Sequence, residues 1–166
     1  MDEAAKNDVV LTRDAILGAI GDSALQIMRI TIEEAQLVEV EGGLSVDYDH
    51  WVSSTFLDMS KAQILMRVHF KTVDSRYFTT MFFGGKSGHR PQTTHDQVKE
   101  FSNMVMGRVK TAISSESNSQ ELVQVYLPKV EAGFDNFEKA VISSESTVQE
   151  KSWKLILDEE RTLLIF

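Results

Sequence analysis

Hydrophobic positions along the chain alternate between a helical and a strand-like period. Ile16, Leu17, Ile20, Ala24, Leu25 and Met28 recur at helical spacing, which predicts a helix over about 13–28 with Thr12 as its cap. Gly18 and Gly21 either weaken that helix or let it pack closely on a neighbour. Leu37, Val38 and Val40, followed by Gly42 and Gly43, read as a strand ending in a turn. Residues 46–56 are ambiguous, with the large rings of Tyr48 and Trp51 close together. From 64 to 70 the alternation is clear: Ile64, Met66, Val68 and Phe70 oppose Leu65, Arg67 and His69, the mark of a half-buried strand.

The stretch 75–84 carries strand-forming residues, yet Tyr77, Phe78, Met81 and Phe82 sit at i, i+1, i+4 and i+5. With Asp74 placed to cap and Gly84-Gly85 to stop it, a short helix is the expectation. A second long helix is predicted from Thr94 to about Ser114, with Val98, Phe101, Val105, Val109 and Ala112 as its packed stripe. Thr94-His95-Asp96-Gln97 has the form of a capping box after Pro91. Strands at about 121–127, 134–142, 148–157 and 161–166 would close the chain as a meander. The segment Ile-Ser-Ser-Glu-Ser occurs at 113–117 and again at 142–146, both where an element should end, and reads as two polar turns. The fold class expected is α+β, an antiparallel sheet of about six strands packed with two long helices. It is one domain over 10–166 preceded by a disordered stretch, 1–9.

Composition narrows the partners. A formal net charge of −8 argues against a nucleic-acid backbone, which needs a clustered positive face. No run reaches the roughly 18 apolar residues of a membrane span. The acidic start lacks the basic and apolar regions of a signal peptide, so a cytoplasmic location is the expectation. With no cysteine in the chain, disulfide and thiol chemistry are excluded.

The candidate chemistry lies on the second long helix. Asp96, Glu100, Asn103 and Gly107 fall within roughly 60° of one another on the helical wheel, opposite the apolar stripe. Solvated helix faces usually carry paired Lys and Glu, whereas this one aligns carboxylates, a carboxamide and a glycine. Glycine inside a helix costs about 1 kcal/mol relative to alanine, so a bare backbone there suggests close approach by another molecule. The plain alternative is a solvated carboxylate beside an indifferent polar residue, the usual content of an exposed helix face.

Asp96-x3-Glu100-x2-Asn103-x3-Gly107 resembles the signature of the CheC/CheX/FliY chemotaxis phosphatases, and Leu127-Pro128-x4-Gly133 resembles the Pro-x4-Gly element that follows it there. The order and spacing match over about 10–166, and the chain is similar to a CheX-like member of the family. The resemblance implies a pseudo-duplicated fold, with helix and strands in 12–72 repeated in 94–166. Aligning Gly21 with Gly107 puts Leu17 opposite Asn103 and Asp14 opposite Glu100; leucine cannot replace the amide, so one site per chain is expected. The implied activity is hydrolysis of the aspartyl phosphate on a CheY-like receiver. Asn103 would position the attacking water and Glu100 would pair with the receiver lysine, both as catalytic residues. Asp96 and Gly107 would serve docking. No cofactor of its own is implied, because the Mg²⁺ belongs to the phosphorylated receiver. A homodimer is implied as well. The alternative is a non-catalytic adaptor that binds and sequesters a receiver.

Other motifs are weaker. Gly84-Gly-Lys-Ser-Gly88 looks like part of a phosphate-binding loop, but Thr80 stands where the first glycine belongs and Pro91 delays the helix. His50, His69, His89 and His95 lack metal-ligand spacing; His89 and His95 flank the motif helix and are placed to tune it. There is no Gly-x-Ser-x-Gly nucleophile turn, and Met104 and Met106 read as core filler. The loop 84–93 is basic, with Lys86, His89 and Arg90, and is either solvated or able to meet an acidic receiver rim.

Overall fold

The computed structural model describes residues 12–41, 50–60, 62–116, 122–133 and 149–165. Among these residues three helices pack with a seven-stranded sheet: α1 (Arg13–Thr31), α2 (Thr72–Phe82) and α3 (Pro91–Glu116). The strands are β1 (Gln36–Glu39), β2 (His50–Met59), β3 (Ala62–Phe70), β4 (Gln124–Val125), β5 (Lys129–Gly133), β6 (Trp153–Ile156) and β7 (Thr162–Ile165). Every pairing is antiparallel. The α+β class holds, with seven strands among the described residues where about six were expected in all.

The closing strands do not form a meander. The sheet runs β1-β6-β7-β3-β2-β4, with β5 paired to β2 alongside β4. The β6–β7 hairpin therefore inserts between β1 and β3, setting Leu37 opposite Leu155 and Val68 opposite Ile165. Burial explains the insertion: Leu155, Leu163 and Ile165 are fully buried, and only central positions offer that. The strand expected at 134–142 lies outside the described residues, as do 1–9 and the second Ile-Ser-Ser-Glu-Ser copy. Residues 113–116 of the first copy form the last turn of α3, with Ile113 buried, rather than a turn beyond it.

Local signals account for α1 and α3 to different degrees. The Thr12 hydroxyl accepts from the Ala15 N–H, as its spacing predicts. The capping box at Thr94 is not used: α3 begins one turn earlier at Pro91, whose fixed φ suits a first helical position. Thr94 instead donates to the Pro91 carbonyl, and Gln97 is buried in the helix body. Nor does Asp74 cap α2. Lys71 occupies that place and its side chain makes no capping bond, and Asp74 lies buried in the first turn, where burial raises its pKa despite Lys71 nearby. The glycine stop is real: Gly84 and Gly85 take φ of 67° and 87°, and their N–H groups cap the Met81 and Thr80 carbonyls. Of the four residues expected to pack α2, Phe78 is buried and Tyr77 half-buried, whereas Met81 and Phe82 remain exposed.

The core lies between helices and sheet. Val98, Phe101, Val105 and Val109 of α3 are fully buried, together with Met66 and Val68 of β3 and Leu57 of β2. At about 1.5–3 kcal/mol per large side chain removed from water, this stripe far outweighs the local cost of one helical glycine. Gly21 meets a structural need: a Cβ there would lie 2.9 Å from the Trp153 indole nitrogen and 3.1 Å from Leu37. Gly18 faces open space. Aligning Gly21 with Gly107 thus pairs a buried position with an outward one, and Leu17 packs against the core rather than marking a second face.

On the face of the sheet away from α3, His50 and His69 are buried with Nε2 and Nδ1 2.9 Å apart. Burial, with the charges of His50 and Arg67 adding to it, lowers the His69 pKa from 6.5 to about 3. The folded ring is therefore neutral at pH values where the unfolded chain would protonate it. Its contribution is complete above pH 6.5 and is lost as pH falls from there toward 3, by up to about 1.4 kcal/mol per unit. Urea unfolding at pH 7.0 and 5.5, where most carboxylates stay ionised, should show a loss of about 1 kcal/mol at the lower pH. Identical stabilities would mean that the buried ring accepts its proton in place.

Candidate functional site

The α3 helix holds the four motif residues on the surface opposite its core stripe. Asp96 and Glu100 are exposed, and Asn103 and Gly107 are half-exposed. The buried residues Phe101, Val105 and Val109 interleave with them in sequence and face the opposite way, so packing of one face fixes the direction of the other. Ser102, adjacent to Asn103, bonds back to the Val98 carbonyl and meets the Ser53 hydroxyl of β2 at 3.0 Å. This buried hydroxyl pair ties the motif turn to the centre of the sheet. Sequence spacing did not point to it, because serine inside an apolar stripe looks like a packing defect.

The four residues differ in what they are free to do. Asp96 is held by Lys99 at 2.6 Å and Gln92 at 3.0 Å, and the Lys99 bond is the main reason its carboxyl titrates below the ordinary range. Glu100 and Asn103 make no side-chain hydrogen bond or ion pair among the described residues. A carboxylate and a carboxamide one turn apart are thereby presented together with their hydrogen-bonding capacity unspent. Gly107 completes the row, and a Cβ placed on it would touch nothing within 4 Å. No packing among the described residues requires glycine there.

The upstream end of the face is stiffened by His95, which stacks on Trp51 at 4.5 Å and meets the edge of Phe70 at 5.8 Å. This apolar setting lowers its pKa and favours the neutral ring, against the pull of Asp96. His95 therefore anchors the helix. His89 lies in the loop before α3, bonded to the Lys86 carbonyl at 2.6 Å and stacked on Phe83 at 5.0 Å. The Pro-x4-Gly element maps onto β5 and the residue before it: Gly133 ends the strand directly against the His50 ring. It supports the sheet through its ladder with β2.

No family model and no curated protein matches the sequence. Solved structures do match over nearly the whole chain. A CheC-like chemotactic protein from Shewanella oneidensis superposes with a TM-score of 0.70 at 14% identity, covering 90% of this chain and 94% of that one. CheX from Borrelia burgdorferi, in a complex with CheY, beryllofluoride and magnesium, gives 0.67 at 9% identity over 90% and 94%. CheX from Vibrio vulnificus gives 0.66 at 12% identity over 93% and 95%. Identities this low speak for the fold, and the helix carrying Glu100 and Asn103 is part of it. The chain has the α+β fold of the CheC/CheX chemotaxis proteins.

Proposed function

We propose that this protein is a phosphatase for the aspartyl phosphate of a CheY-like receiver, acting through the outward face of α3. The observation that carries the reading is the pairing of Glu100 and Asn103, one turn apart and without a side-chain bond among the described residues, on a face kept bare at Gly107. The similar Borrelia structure, in which CheX is bound to CheY with beryllofluoride and magnesium, supports a receiver as the partner.

The chemistry demanded is modest. An aspartyl phosphate is an acyl phosphate whose Mg²⁺ is held by the receiver, so the electrophile is activated before this chain arrives. What is missing is a water held in line with the scissile bond. The Asn103 carboxamide oxygen accepts a hydrogen bond from that water while its NH₂ donates to a neighbouring oxygen. Glu100 pairs with a receiver lysine and sets the register of the insertion. Asp96, already engaged by Lys99, contributes by holding the first turn of the face.

Turnover separates this reading from a sequestering adaptor. Protein at one-hundredth the concentration of phosphorylated receiver should clear all of it, whereas an adaptor would protect its own equivalent and leave the rest to decay unaided. Gly107→Ala provides a second check. The site has room for the methyl group, and alanine is the better helix former, so melting should rise or hold, by up to about 1 kcal/mol. Dephosphorylation should fall, because the added Cβ stands where the partner must approach. A variant equally active and more stable would show that the bare backbone serves no partner.

A further inference from the structure

The face proposed for insertion carries the Glu100 carboxylate beside the Asp96–Lys99 ion pair, and the chain as a whole carries −8. Its partner, on the reading above, presents a phosphoryl group and the carboxylates that hold Mg²⁺. Two negative surfaces approaching each other are slowed, so a receiver-binding chain of this composition needs a local positive element.

One stretch supplies it. Residues 71–91 contain Lys71, Arg76, Lys86 and Arg90 against a single carboxylate, Asp74, for a net charge of +3; the remainder of the chain then carries −11. Asp74 is buried and feels Lys71, which leaves Arg76, Lys86 and Arg90 exposed at one corner. This corner has a defined shape. Gly84, Gly85 and Gly88 hold positive φ, the His89 ring bonds back to the Lys86 carbonyl, and Phe83 packs on His89. Arg76, Thr80, Ser87, Gly88 and His89 line a recess of roughly 370 Å³ there. Beside it, Met81, Phe82 and Phe83 are each about 40% exposed, at 39%, 45% and 42%. The loop runs directly into α3, so Arg90 lies about 15 Å along the axis from Glu100, well within the span of one receiver-sized domain.

We propose that this basic corner is a second docking element, which takes the acidic rim of the receiver and steers it onto the α3 face. The inference rests on a receiver being the partner, and names the surface that captures it. Arg76, Lys86 and Arg90 attract the rim over about a Debye length, and the exposed phenylalanines give the captured partner apolar area to settle on. Capture by the corner precedes insertion of Asn103 and takes no part in hydrolysis.

The test is the variant Lys86→Glu/Arg90→Glu, which alters two exposed loop side chains and leaves α3 intact. With a CheY-like receiver loaded with beryllofluoride and Mg²⁺, the unaltered protein should bind more weakly as salt rises. The variant should bind roughly tenfold more weakly at low salt and lose that difference near 0.5 M, where screening is nearly complete. In turnover, kcat/KM should fall by the same factor with kcat unchanged. Equal affinity and equal salt slope in the two proteins would overturn the inference, as would a fall confined to kcat. Turnover that vanishes in every protein while salt-sensitive capture persists would remove the phosphatase reading and leave the docking element standing. Failure of the unaltered protein to bind any loaded receiver would overturn both.

Discussion

Asn103→Ala should abolish most of the acceleration while leaving the fold and the receiver complex intact. The side chain is half-exposed and makes no hydrogen bond or ion pair among the described residues, so its removal breaks none there, and alanine is the better helix former. Melting should therefore shift by less than about 0.5 kcal/mol. What is lost is the group that holds water in line with the acyl phosphate. Loss or misplacement of a positioning group costs on the order of 10²-fold in rate, while a residue acting only in capture would change affinity instead. Stopped-flow decay of phosphorylated receiver, with excess protein to remove the binding step, measures the difference. An unchanged rate would end the assignment of Asn103. Glu100→Ala should separate from it by raising KM, because its proposed bond to the receiver lysine fixes register.

The largest stability effect is expected at Gly133→Ala. A Cβ on Gly133 would overlap the His50 imidazole, and that ring has nowhere to go. It is buried, bonded to His69, and set opposite Gly133 in the β2–β5 ladder. Overpacking alone costs about 1–3 kcal/mol, and breaking the buried bond adds about 1 kcal/mol more. A loss of about 3 kcal/mol in urea unfolding is the expected outcome, several times any effect at Gly107. Shrinking the obstacle should rescue it. In a His50→Ala background, Gly133→Ala should cost less than 1 kcal/mol, a coupling that a double-mutant cycle reads directly. If the cost is the same in both backgrounds, the clash with His50 is not its source. Both glycines match a family-like motif, yet one keeps a ring packed and the other keeps a surface open.

Much of the local architecture was legible because it rests on short-range periodicity. The α1 and α3 stripes, the β3 alternation, the Thr12 cap and the glycine stop of α2 each depend on residues within a turn or two. So did the outward face, since one helix with a strong apolar stripe can point its remaining side chains only the other way. Misreadings came where two local signals competed. Thr94 and Gln97 have the form of a capping box, but Pro91 one turn earlier starts α3 and draws both into it. The strand β5 was missed because Lys129 to Gly133 has little apolar content; its ladder with β2 holds it.

The linear order of residues determined on its own where the long helices lie, which side of α3 is wet, and that Glu100 and Asn103 share that side. Tertiary structure alone decided that β6 and β7 enter between β1 and β3, that His50 meets His69 and Gly133, and that Gly21 is bare for Trp153 while Gly107 is bare for none of the described residues. The reason is physical. Helical periodicity is a property of neighbours along the chain, whereas strand pairing and close glycine contacts join residues tens of positions apart, whose meeting is set by how the whole core fills.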